Sequence, residues 1–170
     1  MKFMTKVIIK DKCDYMSAIV LGLNDALVEL TGALAGFTMA LQNNKLIALA
    51  GLTTGIAATL SMAAAEFLSQ EAVKNKSHPY KKALFTGIAY LVTVFLLLLP
   101  YFICEDPFSA LIFCLFIAAM IIMAFTFVCS RISGRSFLHD FLQMFCVSLI
   151  VAAIAFLISW LARYWWNIDI

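Results

Sequence analysis

Residues 17–41 read SAIVLGLNDALVELTGALAGFTMAL, and this stretch decides the fold. Most of these residues are apolar, and as an α-helix rising about 1.5 Å per residue they would reach about 37 Å. About 20 apolar residues are enough to cross a bilayer, whereas the hydrophobic region of a signal peptide has only about 7–15. The stretch therefore predicts a retained membrane-spanning helix, although it contains Asp25 and Glu29.

The composition extends this interpretation to the whole chain of 170 residues, which is 64% hydrophobic and 13% charged. Soluble domains have about 45–50% apolar and about 25% charged residues. The excess apolar surface is suited to contact with lipid rather than water. The net charge of +2 is too small to indicate nucleic-acid binding.

Hydropathy predicts five spans, so we expect an all-α integral membrane protein whose residues 1–170 form a single transmembrane domain. The first fourteen residues could form an interfacial helix. A basic linker covers residues 74–82, and the aromatic residues 164–166 are typical of an interfacial belt. The predicted spans are 17–41, 46–73, 83–103, 108–129 and 137–160.

The distribution of lysine and arginine predicts the orientation. With five spans, the N-terminal arm, the second linker and the fourth turn share one side. That side carries ten basic residues, and the other side carries only Lys45 and Arg163. Positive charge accumulates in cytoplasmic segments, so we expect a cytoplasmic N-terminus and a C-terminus on the opposite side. The ten are Lys2, Lys6, Lys10, Lys12, Lys74, Lys76, Lys81, Lys82, Arg131 and Arg135.

Three carboxylates fall inside the first two predicted spans: Asp25, Glu29 and Glu66. A carboxylate at the centre of a bilayer costs roughly 2.5–3.5 kcal/mol on insertion scales, and such groups usually face a bundle interior and mark a pathway. Asp25 and Glu29 share a helix face, as do Met62 and Glu66, because both pairs are four residues apart. Glu71 lies near the cytoplasmic mouth, as either an entry ligand or a solvated helix end.

The first two spans are expected to be antiparallel neighbours, because only a short polar turn joins them. Asp25 and Glu66 would both lie about 10–12 Å below the cytoplasmic surface, so their acidic faces could meet. Gly32 and Gly36 in span one, and Gly51 and Gly55 in span two, have the spacing that permits close helix approach. The sequence thus predicts a hairpin whose two helices pack through small residues around an acidic site.

The chemistry of these side chains indicates a divalent cation. Carboxylate oxygens suit hard cations, and a thioether such as that of Met62 shifts the preference toward transition metals such as Fe²⁺. Desolvated carboxylates hold protons that a metal would displace, which gives a route to metal–proton exchange. His78 and His139 are expected to be solvated. The five cysteines include no C-x-x-C pair, so we predict neither a disulfide nor a zinc site.

Two segments carry a resemblance to a known family. Residues 22–28, GLNDALV, resemble the G-x-x-D-G-L-V signature of vacuolar iron transporter-like proteins, and residues 61–67, SMAAAEF, resemble that family's S-M-A-x-G-E-Y segment. Ala26 and Ala65 replace glycines of those patterns. The family's long forms have an acidic cytoplasmic domain between spans two and three, where this chain has only the basic linker, so the chain resembles a short form.

The resemblance implies a homodimer in which the first two helices line a path for Fe²⁺ or Mn²⁺ out of the cytoplasm, with proton antiport. It assigns Asp25, Met62 and Glu66 to metal binding, and Glu29 joins them from its spacing alone. We therefore expect a metal transporter, with the metal as substrate and no resident cofactor. A non-transporting membrane scaffold, whose acids only hydrogen-bond neighbouring helices, is the alternative. An intramembrane enzyme is a weaker third reading, because no nucleophile–base pair is apparent.

Overall fold

In the part of the chain that it describes, the computed structural model is a bundle of five α-helices, each long and apolar enough to cross a membrane. The structure describes the backbone of residues 2–72, 78–133 and 136–166, and the side chains of residues 15–72, 78–131 and 136–165. The predicted fold class is therefore confirmed. The helices are α1 (Lys2–Leu41), α2 (Asn44–Ala72), α3 (Pro79–Ile103), α4 (Pro107–Ser133) and α5 (Phe137–Trp166).

Local sequence sets the ends of the helices. α1 ends where Gln42 adopts a left-handed backbone with φ of 47°, and the side chain of Asn43 accepts hydrogen bonds from the first backbone N–H groups of α2. Pro79 and Pro107 are the first residues of α3 and α4, where the missing N–H of proline leaves no helical hydrogen bond unmade. Asp106 caps α4 through the N–H of Ser109.

Several helices extend beyond the predicted spans. The first fourteen residues do not form a separate helix in the described backbone, because α1 runs without a break from Lys2. α3 begins at Pro79, so Lys81 and Lys82 belong to its first turn and not to the linker. Charged residues can lie on the end turns of a spanning helix, and hydropathy averaging places those turns in the loops.

Consecutive helices run in opposite directions, so α1 and α3 run parallel, and α3 packs extensively against both α1 and α2. Contacts show this parallel alignment: Thr86 of α3 donates to the backbone of Ala18, near the start of the membrane span of α1, and Tyr101 meets Thr38 near the ends of both helices. α5 packs along α1. The core consists of fully buried side chains from α1 to α4, including Leu27, Leu30, Leu34, Ile47, Tyr90, Val94, Leu97, Leu98 and Ile122.

The predicted packing of α1 glycines onto α2 glycines is wrong. A Cβ on Gly32 would lie 2.8 Å from Val151 of α5, and one on Gly36 would lie 3.0 Å from Ser159 of the same helix. Gly55 of α2 faces Val94 of α3. Only Gly51 of the second pair is close to α1, through Leu34, and it also meets Leu98 of α3. Small-residue spacing identified surfaces of close approach but not the helices that occupy them.

Candidate functional site

The two carboxylates of α1 lie one helical turn apart, in the middle part of the span that runs from Tyr15 to Leu41. Asp25 is partly buried, whereas Glu29 is exposed on the surface of the single chain. The hydroxyl of Tyr90, a fully buried residue of α3, donates to Glu29 Oε2 at 2.9 Å. Glu29 therefore accepts one hydrogen bond from the core, and its other side is exposed on the surface of the chain within the membrane-spanning part of α1.

The third carboxylate belongs to a different contact. Glu66 of α2 is only 9% exposed, and its Oε1 accepts a hydrogen bond of 2.7 Å from Nε2 of Gln70. Oε1 of Gln70 in turn accepts from Nζ of Lys82 at 3.2 Å. Gln70 and Lys82 are 8% and 4% exposed, so this chain of polar groups is enclosed between α2 and α3. The side-chain amide of Gln70 thus links the carboxylate of Glu66 to the ammonium of Lys82.

The sequence analysis assigned no site residue to α3, and the structure shows that this helix supplies partners to both acidic groups. Lys82, Thr86 and Tyr90 are spaced by four, lie on one buried face, and hydrogen-bond to Gln70, Ala18 and Glu29. The signal was visible as a K-x-x-x-T-x-x-x-Y pattern at helical spacing. Lys82 falls in the predicted linker, whereas Thr86 and Tyr90 fall inside the predicted third span and carry no charge that would mark them.

The four predicted site residues therefore form two groups rather than one. Asp25 and Glu29 face the α1–α3 side, and Glu66 faces α3 from α2. Met62 is partly buried and packs against the hydrophobic core, while Glu71 is exposed at the end of α2. Among the described residues, no three His, Cys, Asp or Glu side chains are close enough to hold a single metal ion. Asp25, Glu29 and Glu66 therefore do not form a single three-carboxylate site among these residues, and the meeting of the Asp25 and Glu66 faces stays a prediction.

A cavity of about 710 Å³ lies at the opposite end of the bundle from Glu66 and Lys82. The turn between α1 and α2 and the loop between α3 and α4 form its wall, which includes Gln42, Asn44 and Glu105. The side-chain Oδ1 of Asn44 is buried and has no hydrogen-bond partner, although its Nδ2 donates to the carbonyl of Cys104. The cavity contains none of the predicted metal-binding residues.

Comparison with known families gives a match that spans most of the chain. A family model described as the VIT family matches residues 16–76 and, in a second segment that overlaps the first, residues 70–160. The two segments cover all or most of each of the five candidate spans and include both motifs quoted above. No curated protein matches the chain.

Proposed function

Because this chain belongs to the VIT family, a family of metal-ion transporters, we propose that it moves Fe²⁺ or Mn²⁺ out of the cytoplasm in exchange for protons. Family membership fits a transporter and not an enzyme. The identity of the metal, the direction of its transport and its exchange for protons are our inference from the side chains of α1 and α2. The metal is the substrate, and the proposal includes no resident cofactor.

The observation that carries the proposal is the presence of three carboxylates inside spanning helices, two with dedicated hydrogen-bond donors. Tyr90 donates to Glu29, and Gln70 donates to Glu66. Each carboxylate costs roughly 2.5–3.5 kcal/mol at the bilayer centre, and packing alone would be served better by apolar residues. Carboxylate oxygens that are held in place inside the membrane can replace the water molecules that coordinate a divalent cation.

The residues would act in sequence along the helices. Glu66, near the end of α2, would take the metal from the basic side of the protein, and Met62, one turn deeper, would favour softer transition metals. Asp25 and Glu29 would pass it along α1. Each carboxylate gives up a proton when metal binds and regains one when metal leaves, which couples the two flows.

The proposed direction follows from the charges at the two ends. By sequence, ten of the twelve lysine and arginine residues fall in the N-terminal arm, the second linker and the fourth turn, so the end where α1 begins would face the cytoplasm. The metal would then leave through the opposite end, where the cavity beside Gln42, Asn44 and Glu105 offers polar oxygens. That cavity is a suitable aqueous exit.

A homodimer is part of the proposal, because the single chain leaves Glu29 exposed at mid-span. A carboxylate there is unfavourable against hydrocarbon, so a partner or a water-filled path must cover it. α2 also exposes a stripe of small or weakly polar residues at helical spacing, which is typical of contacts between membrane helices. The stripe consists of Thr53, Ala57, Ser61, Ala64 and Ala65. Two chains could therefore complete a path that one chain leaves open.

The hydrogen bonds to Glu29 and Glu66 also agree with the alternative, a scaffold whose acids only join helices. The two functions differ in what the carboxylate charge does. In a scaffold, an amide can replace a carboxylate and keep a hydrogen bond from Tyr90 or Gln70. In a transporter, the same replacement removes the charge that binds the metal.

The test is metal uptake into proteoliposomes across Fe²⁺, Mn²⁺, Co²⁺, Zn²⁺ and Mg²⁺, with a pH-sensitive dye inside. We expect Fe²⁺ and Mn²⁺ flux with opposite proton movement, and at least tenfold less flux for Asp25→Asn or Glu66→Gln. Asp140→Asn, at the start of α5, is the matched control and should transport like the unchanged protein. Absence of flux for every metal would refute transport. Metal flux without proton movement would refute the exchange for protons but not transport itself.

A further inference from the structure

A buried lysine lies one amide group away from the carboxylate of Glu66. Nζ of Lys82 donates to Oε1 of Gln70 at 3.2 Å, and Nε2 of Gln70 donates to Oε1 of Glu66 at 2.7 Å. An amide has an acceptor at one end and donors at the other, so its orientation here is set by the ammonium and the carboxylate. Gln70 thus links the two charges across the α2–α3 contact.

The inward conformation of Lys82 contrasts with that of its neighbour. Lys81 is exposed, whereas Lys82 is 4% exposed in the first turn of α3. Lysines near the ends of spanning helices ordinarily extend toward the aqueous interface, and a long aliphatic chain permits this. An ammonium that remains inside needs partners for its charge. The chain of contacts to Glu66 supplies negative charge in the direction in which Lys82 points.

We propose that Lys82 is a tethered cation that compensates Glu66 when no metal is bound and repels the metal when one is. The inference rests on the proposed function, in which Glu66 binds the transported metal. A divalent ion at Glu66 would lie within one amide group of the ammonium, in surroundings where charges are weakly screened. Lys82 would therefore weaken metal binding without contacting the metal, so that Glu66 releases its ion onward. It is a positioning residue that sets affinity.

The first test measures the charge coupling without metal. Thermal unfolding is compared for the unchanged protein, Glu66→Gln, Lys82→Gln and the double variant, all as full-length chains in the same detergent with a chelator. Each single change removes one of the two charges that Gln70 links and should lower the unfolding temperature. The double variant removes both charges and should recover much of the loss. Additive losses would overturn the proposal, and Lys82→Met serves as a second neutral variant if Lys82→Gln does not fold.

The second test uses Mn²⁺ as the probe in proteoliposomes. Lys82→Gln should lower the apparent KM for Mn²⁺ about tenfold and lower the maximal rate, because binding tightens and release slows. Lys82→Arg keeps the charge and should retain a KM near that of the unchanged protein. Lys81→Gln is the matched control for surface charge and should leave KM unchanged. Equal effects of Lys81→Gln and Lys82→Gln, or an unaltered KM in Lys82→Gln, would contradict the proposal.

The two tests separate this inference from the proposed function. If the unchanged protein moves no Mn²⁺, transport fails, while the unfolding cycle still decides whether Lys82 and Glu66 are coupled. If transport is observed and the cycle is additive, the tethered cation fails and the transporter stands.

Discussion

Tyr90 sets the environment of Glu29 through a single atom. The phenol ring is fully buried in the core, and its hydroxyl reaches Glu29 Oε2 at 2.9 Å. The ring and the hydroxyl have separate roles, since the ring packs among apolar side chains while the hydroxyl bonds to a charge. Tyr101, which lies later in α3, offers a comparison, because its hydroxyl bonds to Thr38 and not to a carboxylate.

We predict that Tyr90→Phe reduces Mn²⁺ flux several-fold while the fold is kept. Removal of the hydroxyl leaves Glu29 without this donor and costs about 1.5–3 kcal/mol of stability, which is typical of a hydrogen bond to a charged group. Tyr101→Phe is the matched control, with a loss of about 1 kcal/mol and unchanged flux. Proteoliposome uptake and chemical unfolding measure the two effects. Equal flux in both variants would show that the Tyr90 hydroxyl is only structural.

For individual residues, the sequence predicted the acidic side chains inside the membrane but not their hydrogen-bond partners. A carboxylate in a hydrophobic run is conspicuous whatever the fold, so Asp25, Glu29 and Glu66 could be found directly. Tyr90 could not be paired with Glu29, because the two are 61 residues apart and only the packing of α1 against α3 brings them together. Lys82 had been assigned to a solvated linker, since a lysine beside Lys81 and Pro79 resembles a loop residue.

The approach of α1 to α3 depends on Gly22, three residues before Asp25. A Cβ at this position would overlap the backbone carbonyl of Thr86, and a carbonyl in the middle of a helix cannot move aside. A Cβ on Gly36, in the same helix, would meet Oγ of Ser159 at 3.0 Å. A serine hydroxyl can rotate, so the two glycines differ in what a methyl group would displace.

We therefore predict that Gly22→Ala destabilises the bundle by about 1–3 kcal/mol, the range for overpacking a fitted interface. Gly36→Ala should be close to neutral, because the gain in helix propensity of about 1 kcal/mol offsets a small adjustment of Ser159. Unfolding in detergent measures both. A Gly22→Ala variant as stable as Gly36→Ala would mean that α1 and α3 can separate without cost.

The start of α4 depends on the carboxylate of Asp106. Its Oδ2 accepts a hydrogen bond of 2.7 Å from the N–H of Ser109, and this backbone bond is the main cause that lowers the pKa of Asp106 below its ordinary 3.8. A lowered pKa in the folded state means that the stabilisation is complete above the unfolded pKa. It is lost as the pH falls through the folded pKa.

The corresponding prediction concerns Asp106→Asn, which caps a helix without carrying a charge. The unchanged protein should unfold at a slightly higher temperature than Asp106→Asn near pH 7, and the difference should disappear as the pH falls below about 4. Asp106→Ala should be less stable than both at neutral pH. Thermal unfolding between pH 7 and pH 3 measures this, and a difference that is constant with pH would exclude the charge as its source.

Among the elements, hydropathy predicted the number and order of the helices because each span must bury an apolar stretch long enough for the bilayer. It could not predict which helices touch. The glycines of α1 and α2 indicated close approach, yet Gly32 and Gly36 pack against α5, and Gly55 packs against α3. Spacing along one helix contains no information about its neighbour, so the predicted contact between the α1 and α2 glycines was wrong, although α1 and α2 do touch and both glycine surfaces are packed.

The outer surface of the whole molecule is not uniform. The exposed positions of α4 and α5 are mainly large and apolar, as expected against lipid; they include Phe113, Phe116, Ile150, Ile154 and Ile158. α2 differs, because its exposed stripe includes Ala57, Ser61 and Ala64. Small side chains allow two backbones to come close, and lipid gains nothing from them. The α2 stripe is therefore the surface most suited to a second copy of the chain.

We predict that cysteines placed on the α2 stripe cross-link two chains in the membrane, whereas cysteines on α5 do not. The background has its five native cysteines replaced by alanine or serine. Ala57→Cys, Ser61→Cys and Ala64→Cys should give dimers with a short cross-linker, strongest at the position nearest the two-fold axis, because a symmetric interface brings equivalent residues together. Ile154→Cys and Ile158→Cys are the controls for random collision. If cross-linking on α5 equals that on α2, or if α2 gives none, the chains do not meet through this stripe, and the open side of Glu29 must then be covered by a different surface of the partner or by water.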